Sequence, residues 1–509
     1  MTAPPSSSPP GLYTAAESRE LDRLAIEEYG LPGFDLMQRA GRAAWRVLGR
    51  YWPEARRIAV CCGRGNNAGD GYLVAALAHE NGLEVEVHEL ATADALGGDA
   101  ARARHWAAER GVPMSQGVPE ALTADVVVDA LLGTGIRRPL RPPFAEMARR
   151  INACGAPVLA IDVPTGVDVD TGAADEAAVR ATVTVTFIGR KLGLFTGPGA
   201  VLAGTVVFDD LGVPSRLYRR LPGVPWLAYP QLPPEHRLGP RALDAYKHAL
   251  GHLAVVGGDH AMGGAALMAA EAALRTGAGM VSVLTRAAHR PAILARRPET
   301  MVVDADDATA RAALLERADV LVIGPGLGRD PWGRGLLEQA LATGRPAVID
   351  ADGLNLIAEA GKSVHSQTVV TPHAAEAARL LGRSVAEVQA ARPVAVRDLV
   401  ARLGGAAVLK GRGSLIAAPA ADGTPRLLGV CAHGNPGMAS AGMGDVLSGV
   451  IGGLLAQGLP AASAALAGTC LHSFAADRAA ERCGQRALLA LDVVDAMIGI
   501  LRDEERGWR

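Results

Sequence analysis

The stretch "GRGNNAGDGYLVAALA", residues 63–78, joins a short apolar run to a long alanine-rich one. The preceding "RRIAVCC" predicts a buried strand, and "DGYLVAALAHENG" predicts a helix that ends at Gly82. A glycine-rich turn between a strand and a helix is typical of a parallel α/β sheet, in which such turns approach ligands. The stretch therefore predicts an α/β fold with a binding site at this strand end.

The turn also has the spacing of a dinucleotide-binding motif. Gly63, Gly65 and Ala68 satisfy the pattern G-x-G-x-x-G/A. Glu84 and Glu86 stand about 20 residues further on, where a ribose-binding acid is found in such proteins. The motif by itself does not decide whether the chain transfers hydride or binds a dinucleotide for another purpose.

Strands and helices continue to alternate on the C-terminal side of this turn, whereas residues 13–50 have helical periodicity. This alternation is typical of parallel sheets. In the first half the predicted strands are "RIAVCC", "LEVEVHEL", "ADVVVDALLG", "APVLAIDVPTG", "ATVTVTFIG" and "GTVVFDD". In the second half they are "GHLAVVGG", "GMVSVLT", "ADVLVIGPGLG", "RPAVIDADGLN", "TVVTPH" and "AAVLKGRGSLIAA".

The length of 509 residues predicts two or more domains. The alternation breaks over residues 212–247, which are rich in proline and arginine. We predict a first domain over residues 1–220, a linker over 221–245 and a second domain over 246–509. Because the two halves do not repeat each other in sequence, we interpret the chain as a fusion of two different catalytic domains.

The composition excludes several classes of protein. Lys and Arg total 51 and Asp and Glu total 53, so the net charge of −2 argues against binding to nucleic acid or to an anionic membrane. The longest apolar region is interrupted by Gln457, Pro460 and His472, which favours buried helices over a membrane span. The stretch "MTAPPSSSPPG" has the composition of a disordered tail and not of a signal peptide. Six cysteines without metal-binding spacing favour a cytoplasmic location, and a homo-oligomer is compatible with the sequence.

Three strand-end loops of the first half carry polar residues that point to one site. They supply Asn66, Asn67, Asp70, Asp129, Gly133, Thr134, Gly135, Asp162 and Thr165. Glycine turns let backbone amides approach phosphate, and amide, carboxylate and hydroxyl oxygens suit a group I or group II cation. As an alternative, Asn66 and Asn67 cap a helix. Asp129 and Asp162 then form turns, and as strand-end acids we expect them to lie outside the core.

The second half has a comparable motif in "GNPGMASAGMGDVLSG", residues 434–449. Gly442 and Gly444 allow backbone amides to form an anion hole at the start of a helix, with Asp445 directed into it. A carboxylate in that position acts as a base on a substrate hydroxyl while the amides stabilise a transferring phosphoryl group. As an alternative, Asp445 is an ordinary acid in the first turn of a helix.

Further strand-end loops of the second half would line the same groove: "GPGLG" (324–328), "DADGLN" (350–355), "TPHAAE" (371–376) and "LKGRGS" (409–414). His373 follows Thr-Pro, so the sequence leaves open whether it caps a helix or binds a ligand. His252 and His260 are interpreted as ordinary surface or turn residues.

These motifs, in this order, resemble the family of bifunctional NAD(P)H-hydrate repair enzymes. The resemblance extends from "YTAAESRELD" and "LMQRAG" through "GRGNNAGDG", "DALLGTG" and "DVPTG" to "GPGLG", "DADGLN", "TPH", "LKGRGS" and "NPGMASAGMGD". It implies an N-terminal Rossmann-like three-layer α/β/α sandwich and a C-terminal ribokinase-like α/β/α domain. It further implies that the first domain interconverts the R and S forms of hydrated NADH and NADPH. The second would dehydrate the S form while ADP is converted to AMP and phosphate.

The resemblance also implies roles for individual residues. The potassium ligands of the first domain fall on Asn67, Asp129 and Thr165. Its hydrate-binding residues fall on Asn66, Asn67, Ala68, Gly69, Asp70, Gly133, Thr134, Gly135, Ile136, Arg137, Arg138, Pro139 and Asp162. In the second domain the hydrate contacts fall on Gly326, His373 and Asp445. The nucleotide contacts fall on Lys410, Gly411, Arg412, Gly413, Ser414 and Gly444, with Mg²⁺ accompanying ADP.

We assign Asp162 and Asp445 as the catalytic residues of the two domains. Two positions depart from the family pattern: Met443 replaces the usual threonine of G-T-G-D, and Gln38 replaces a glutamate. Since the dinucleotide is a substrate in this interpretation, no hydride moves. Two alternatives remain: a ribokinase-class kinase of small molecules, and a first domain that only binds a dinucleotide.

Overall fold

The computed structural model describes residues 11–135 and 139–507. It divides the chain into two compact units, Met1–Pro225 and Trp226–Arg509. The predicted hydrate-binding residues 136–138 lie outside the described residues, as do residues 1–10 of the predicted tail.

The boundary between the units falls inside the segment that we predicted as a linker, residues 221–245. Part of this segment belongs to the core of the second unit, because Leu227, Tyr229 and Leu232 are buried there. Strand Val224–Leu227 crosses the boundary, and its last two residues pair with the second unit's sheet.

The first unit is built on a parallel sheet, as the alternating sequence pattern predicts. Its strands, in spatial order, are Met114–Gln116, Glu84–Glu89, Arg57–Cys62, Val126–Ala130, Val158–Ile161, Val183–Phe187 and Thr205–Asp209. Outside this sheet, strand Gly11–Tyr13 pairs in parallel with Arg190–Lys191 and antiparallel with residues 224 and 225. The helices are Ala15–Glu27, Gly33–Tyr51, Asn66–Glu80, Gly98–Glu109, Phe144–Ala153, Gly199–Leu202 and Arg216–Arg220.

Successive side chains of the central strand Arg57–Cys62 point to opposite faces of the sheet, which shows why helices cover both faces. Ile58, Val60 and Cys62 pack with helices Gly33–Tyr51 and Asn66–Glu80. Their neighbours in sequence, Ala59 and Cys61, belong to the opposite apolar cluster, which contains helix Phe144–Ala153. A strand that is apolar at every position must be covered on both faces, and the result is the predicted three-layer sandwich.

The second unit has a larger, mixed sheet. Its strands, in spatial order, are Met301–Asp304, Met280–Thr285, His252–Val256, Val320–Ile323, Ala347–Ile349, Thr368–Val370, Ala406–Leu409, Leu415–Pro419, Pro425–Cys431 and Val224–Leu227. The strands from Met301–Asp304 to Ala406–Leu409 are parallel, and the next two pairings are antiparallel. The stretch "AAVLKGRGSLIAA" is therefore a hairpin of two antiparallel strands, and the predicted strand-end loop "LKGRGS" forms its turn.

Helices cover the second sheet, and two of them approach each other very closely. The helices are Gly263–Thr276, Arg290–Arg296, Ala308–Arg317, Pro331–Ala342, Ala351–Ala360, Ala374–Leu381, Val385–Ala390, Arg392–Leu403, Met443–Ala456, Ala461–Cys483 and Ala490–Gly507. A Cβ atom on Gly449 would lie 2.1 Å from the carbonyl oxygen of Ala269, so only glycine fits at this crossing. In the described ranges, no helix has the length and apolarity needed to cross a membrane.

Gly449→Ala should destabilise the second unit by about 1–3 kcal/mol, since the added methyl group must push backbone apart. Gly335→Ala is the matched control, because it also lies within a helix but a Cβ atom there would meet nothing within 4 Å. The control should be neutral or stabilising by up to about 1 kcal/mol. Urea denaturation of both variants measures the difference, and equal midpoints would contradict the close packing.

Candidate functional site

A cavity of about 540 Å³ opens in the first unit at the carboxyl ends of its parallel strands. Predicted hydrate-binding residues that line it are Asn66, Asn67, Asp70, Gly133, Thr134, Gly135 and Asp162. Two other predicted residues, Ala68 and Gly69, are buried inside the unit, and Gly69 faces the side chain of Met37. The three strand-end loops thus meet at one cavity, as the sequence predicted.

Helix Asn66–Glu80 begins directly at the glycine-rich turn. Its N-cap residue is Gly65, and no side chain caps it. The side chain of Asn67 is buried, and neither its Oδ1 nor its Nδ2 atom has a hydrogen-bond partner. The alternative that Asn67 is a helix cap is therefore wrong. A buried amide without partners costs free energy unless a ligand satisfies it.

Asp129 and Thr165 are in direct contact. The Thr165 hydroxyl donates to Asp129 Oδ1 at 2.8 Å, and the Thr165 amide donates to Asp129 Oδ2 at 2.8 Å. The Leu132 amide donates to the Thr165 hydroxyl, and a Cβ atom on the adjacent Gly133 would lie 3.7 Å from Asn67 Oδ1. The turn after strand Val126–Ala130 thus connects all three predicted potassium ligands.

Asp129 corrects one expectation from the sequence. We expected this strand-end acid to lie outside the core, but it is completely buried. Burial raises the pKa of Asp129 to about 6, against the lowering effect of its hydrogen bonds from Thr165 and Leu131.

Asp162 directly follows the C-terminal end of strand Val158–Ile161 and has an unusual backbone conformation. Its φ of 64° places a non-glycine residue in the left-handed region, where strain is typical of functional sites. Its carboxylate accepts a hydrogen bond from the Thr186 hydroxyl at 3.1 Å and forms an ion pair with the ammonium of Lys191. The sequence did not identify Lys191, although this lysine closely follows the predicted strand "ATVTVTFIG".

Two more carboxyl groups line the cavity beside this ion pair. Asp70 is buried, and desolvation together with Asp162 and Asp22 raises its pKa well above the usual range. Desolvation also raises the pKa of Asp22 to about 6. Asp22 was missed because, in the sequence, it resembles any exposed acid of an amphipathic helix.

In the second unit, helix Met443–Ala456 starts at the predicted anion hole. Gly442 has φ +88° and no side chain caps the helix, so its first amides are not occupied by a cap. Asp445 lies in the first turn, whereas the side chain of Met443 is buried in the core. The departure from the family pattern at this position therefore adds an apolar contact to the core.

A buried lysine connects the strand-end loops of the second unit. Lys410 Nζ lies 2.6 Å from Asp350 Oδ1 and 3.9 Å from Glu376 Oε2. Ser448, one helical turn after Asp445, donates its hydroxyl to Asp350 Oδ2 at 2.9 Å. A Cβ atom on Gly444 would lie 3.2 Å from Asp350 Oδ2, so the glycine turn packs directly on this ion pair.

The same cluster controls the protonation of Asp445. Burial and the carboxylates of Asp350 and Asp352 raise the pKa of Asp445 to about 6, and Lys410 opposes this effect. Its carboxyl group thus titrates close to neutrality, as expected of a general base.

His373 caps the helix that follows it. Its Nδ1 atom accepts hydrogen bonds from the amides of Ala375 at 3.1 Å and Glu376 at 3.3 Å. Burial and the charge of Lys410 lower the pKa of His373, which keeps the ring neutral and able to accept these bonds. The cap that the sequence left open is confirmed, and a ligand contact would use the opposite ring nitrogen.

The predicted nucleotide loop, residues 410–414, forms the turn of the hairpin. Its side chains make contacts within the protein: Arg412 donates to the carbonyl of Gly434, and Ser414 donates to that of Gly411. The buried guanidinium of Arg392 donates to the carbonyls of Leu409 and Lys410 and fixes the start of the turn. No motif in the sequence pointed to Arg392.

Gly326, a predicted hydrate contact, adopts φ +59° and leaves no space for a side chain, since a Cβ atom there would lie 2.7 Å from Met262. In the described part of the chain, no group of three His, Cys, Asp or Glu side chains is arranged to hold a metal ion.

Known families match both units. Residues 33–193 match the family model "YjeF-related protein N-terminus", and residues 253–498 match "NAD(P)H-hydrate dehydratase". The bifunctional NAD(P)H-hydrate repair enzyme Nnr of Coxiella burnetii is 46% identical over 491 residues, which cover 95% of this chain and 97% of that one. The protein of the same name from Escherichia coli K12 is 42% identical, covering 98% and 96% of the two chains.

A solved structure also resembles part of the chain. A ribokinase-like superfamily protein from Enterococcus faecalis V583 is 31% identical and aligns with a TM-score of 0.50. The alignment covers 55% of this chain and 95% of that chain. It agrees with the ribokinase-like fold that we predicted for the second half.

Proposed function

The chain belongs to the family of bifunctional NAD(P)H-hydrate repair enzymes, and on that basis we propose that its first unit epimerises hydrated NADH and NADPH while its second unit dehydrates the S form. The observation that carries this proposal is that each unit has its own cluster of carboxyl groups and a lysine. In each unit this cluster lies beside a glycine turn that starts a helix. Two complete polar sites favour two separate activities.

In the first unit, the substrate would bind along the loops that line the cavity. The amides at the start of helix Asn66–Glu80 suit the phosphates of the dinucleotide. The turn residues Gly133, Thr134 and Gly135 and the carboxylate of Asp162 then complete the described part of the site. Asp162 is our candidate for taking up and returning a proton as the configuration changes.

A potassium ion fits beside the same loops. Asn67 Oδ1 is a buried oxygen without a partner, and Asp129 and Thr165 contribute an anionic and a neutral oxygen on the adjoining turn. Hard oxygen donors of this kind suit a group I cation. The ion would hold the three loops together and contribute positive charge near the substrate phosphates.

Asn67→Leu tests this site through stability. In potassium-free buffer the variant should be more stable than the wild type by about 1–3 kcal/mol, since the substitution removes buried polar atoms without partners. Added potassium should stabilise the wild type and have no effect on the variant, because only the wild type binds the ion. Thermal unfolding in potassium and in tetramethylammonium salts measures both effects. A wild type that responds equally to the two salts would contradict the proposal.

In the second unit, Asp445 would accept the proton of the substrate hydroxyl while the β-phosphoryl group of ADP moves to that oxygen. AMP is released, the C–O bond of the phosphorylated hydroxyl breaks with loss of phosphate, and loss of a proton from the adjacent ring carbon restores the double bond of NAD(P)H. Gly326 and His373 would contact the hydrate, and Gly444 with the loop 410–414 would contact the nucleotide.

Magnesium with ADP suits the charge of this site. Asp350, Glu376 and Asp445 all interact with the ammonium of Lys410, and Asp352 adds a fourth carboxyl group near Asp445. A divalent cation would relieve their mutual repulsion, and Asp352 supplies carboxylate oxygens, which Mg²⁺ prefers, whereas Asp445 is the residue that we assign as the base. When bound, the ion would neutralise charge on the transferring phosphoryl group.

The wild-type chain, incubated with mixed-epimer hydrate with and without ADP, tests the proposed function. We expect ADP-dependent recovery of reduced-nicotinamide absorbance, with one phosphate released per molecule restored. A stable phosphorylated product would instead support the ribokinase-class alternative. Epimerisation is measured without ADP. If the wild type does not interconvert the epimers, the result would support a first unit that only binds the dinucleotide. A cytoplasmic location and a homo-oligomer stay predictions from the composition.

A further inference from the structure

One face of helix Ala15–Glu27 forms part of the wall of the first unit's cavity. Ser18, Arg19, Asp22 and Ile26 line the cavity. Ser18, Asp22 and Ile26 follow one another at intervals of four residues, so they lie on one face of the helix. The hydroxyl of Ser18 is buried and has no hydrogen-bond partner. A helix face with an unsatisfied hydroxyl in a polar cavity indicates that it contacts a ligand.

The chemistry of epimerisation requires more than one proton-transfer group, and this step rests on the proposed function of the first unit. The hydroxyl group leaves one face of the ring and water returns on the other, because the configuration is inverted. One group must protonate the departing oxygen, and a second must accept a proton from the returning water. Asp162 fills one of these two roles.

The charges in the cavity indicate which group fills the other role. Lys191 can neutralise only one of the carboxylates of Asp22, Asp70 and Asp162, and it contacts Asp162 directly. Asp162, which shares the charge of Lys191, is the group that we assign as the proton acceptor. The carboxyl groups of Asp22 and Asp70 are repelled by the charge of Asp162. Burial and this repulsion raise the pKa of both groups.

Asp22 and Asp70 differ in their access to a ligand. Asp70 is buried. Asp22 also lines the cavity, but its side chain is exposed. Asp22 also reaches the cavity from a helix, while Asp162 reaches it from a strand end. The two carboxyl groups thus approach the substrate from different elements, which suits transfer at two faces of a ring.

We propose that Asp22 is the second catalytic residue of the epimerase site and donates a proton to the hydroxyl oxygen of the hydrate. The C–O bond breaks with both electrons on oxygen, water is formed, and the ring is left as a cation. Water then adds to the opposite face and its proton passes to the carboxylate of Asp162. The next turnover in the same direction begins when that proton returns to Asp22 through the solvent in the cavity.

Asp22→Asn should lower the rate of epimerisation by about 10²-fold or more, and Asp22→Glu should retain part of the rate because it keeps a proton donor. Glu20→Gln is the matched control, since Glu20 lies on the same helix but pairs with the exposed Arg23. Its rate should equal that of the wild type. Circular dichroism and thermal unfolding of each full-length variant confirm that the fold is kept.

A pH profile separates proton donation from a structural role. Because Asp22 acts in its protonated form, kcat/KM of the wild type should fall as the pH rises above about 6, and this decrease should be absent in Asp22→Asn. The other charged groups that line the cavity are Lys191, Asp70, Asp162, Arg19, Arg64 and Asp99. They are unchanged in Asp22→Asn, so a decrease caused by any of them would persist.

A folded Asp22→Asn variant that epimerises at the wild-type rate, or that keeps the wild-type pH profile, would overturn the assignment. If the wild type itself does not epimerise the hydrate, the proposed function of the first unit fails instead. The two failures are distinguished by the wild-type measurement alone.

Discussion

Asp445→Asn should lower the rate of ADP-dependent dehydration by about 10³-fold or more and leave epimerisation at the wild-type rate. Asparagine has nearly the same shape, but it cannot accept the proton of the substrate hydroxyl. The helix start should be unaffected, because Gly442 caps it without a side-chain bond. Loss of both activities in a folded variant would contradict the assignment of the two activities to separate units.

Asp492→Asn is a matched control for this prediction. Asp492 also lies in the first turn of a helix in the second unit, where its carboxylate accepts a hydrogen bond from the Leu489 amide. If Asp445 were only an acid favoured by the helix dipole, both variants should show similar small effects. Dehydration at the wild-type rate in Asp445→Asn would show that Asp445 is not the base.

The pH dependence of dehydration gives an independent check of the same residue. Asp445 acts in its ionised form, and its pKa is raised to about 6 by burial and by Asp350 and Asp352. The rate should therefore fall as the pH drops below about 6. Steady-state rates with pure S hydrate at saturating ADP measure this decrease.

Asp162→Asn should lower epimerisation by about 10²-fold or more and leave dehydration of the pure S form unchanged. It should also destabilise the first unit by about 3–5 kcal/mol, because the buried ammonium of Lys191 loses its charged partner. The double variant Asp162→Asn/Lys191→Met removes both charges, so it should recover much of the stability without recovering activity. Urea denaturation and epimer interconversion measure the two effects separately.

The double variant distinguishes chemistry from folding. If stability and epimerisation recover together, Asp162 holds the loop in place and does not take part in the reaction. If the single variant keeps full epimerase activity, the assignment of Asp162 is wrong, and Asp22 with Asp70 remain as the proton-transfer groups.

The sequence predicted the parts of the fold that depend on local patterns. Runs such as "IAVCC", residues 58–62, are apolar at every position, which favours a buried strand covered on both faces. The glycine turn at residues 63–71 was identified because strand, turn and helix are adjacent in the chain. The turn of the hairpin at Lys410–Ser414 was located from its glycines, but no local pattern records that the two apolar strands on either side of it pair antiparallel.

The candidate sites were predicted only in part, for a physical reason. Asp162 and Asp445 stand beside proline or glycine in recognisable turns, so their positions were visible in the sequence. Lys191 contacts Asp162 at a separation of 29 residues, and Asp22 interacts electrostatically with both of them from a different element, so no local pattern records either relation. Asp129 was expected outside the core because it is a strand-end acid, and the sequence does not show that Thr165, 36 residues later, donates to its carboxylate.

The most direct measurement mixes two full-length variants that are each defective in one unit. Asp162→Asn alone should stop converting mixed-epimer hydrate when the S form is used up, and Asp445→Asn alone should restore almost no reduced nicotinamide. An equimolar mixture of the two, with ADP, should convert the whole hydrate, because each variant supplies the intact site that the other lacks. If the mixture stops at the same fraction as Asp162→Asn alone, the two units do not carry independent activities.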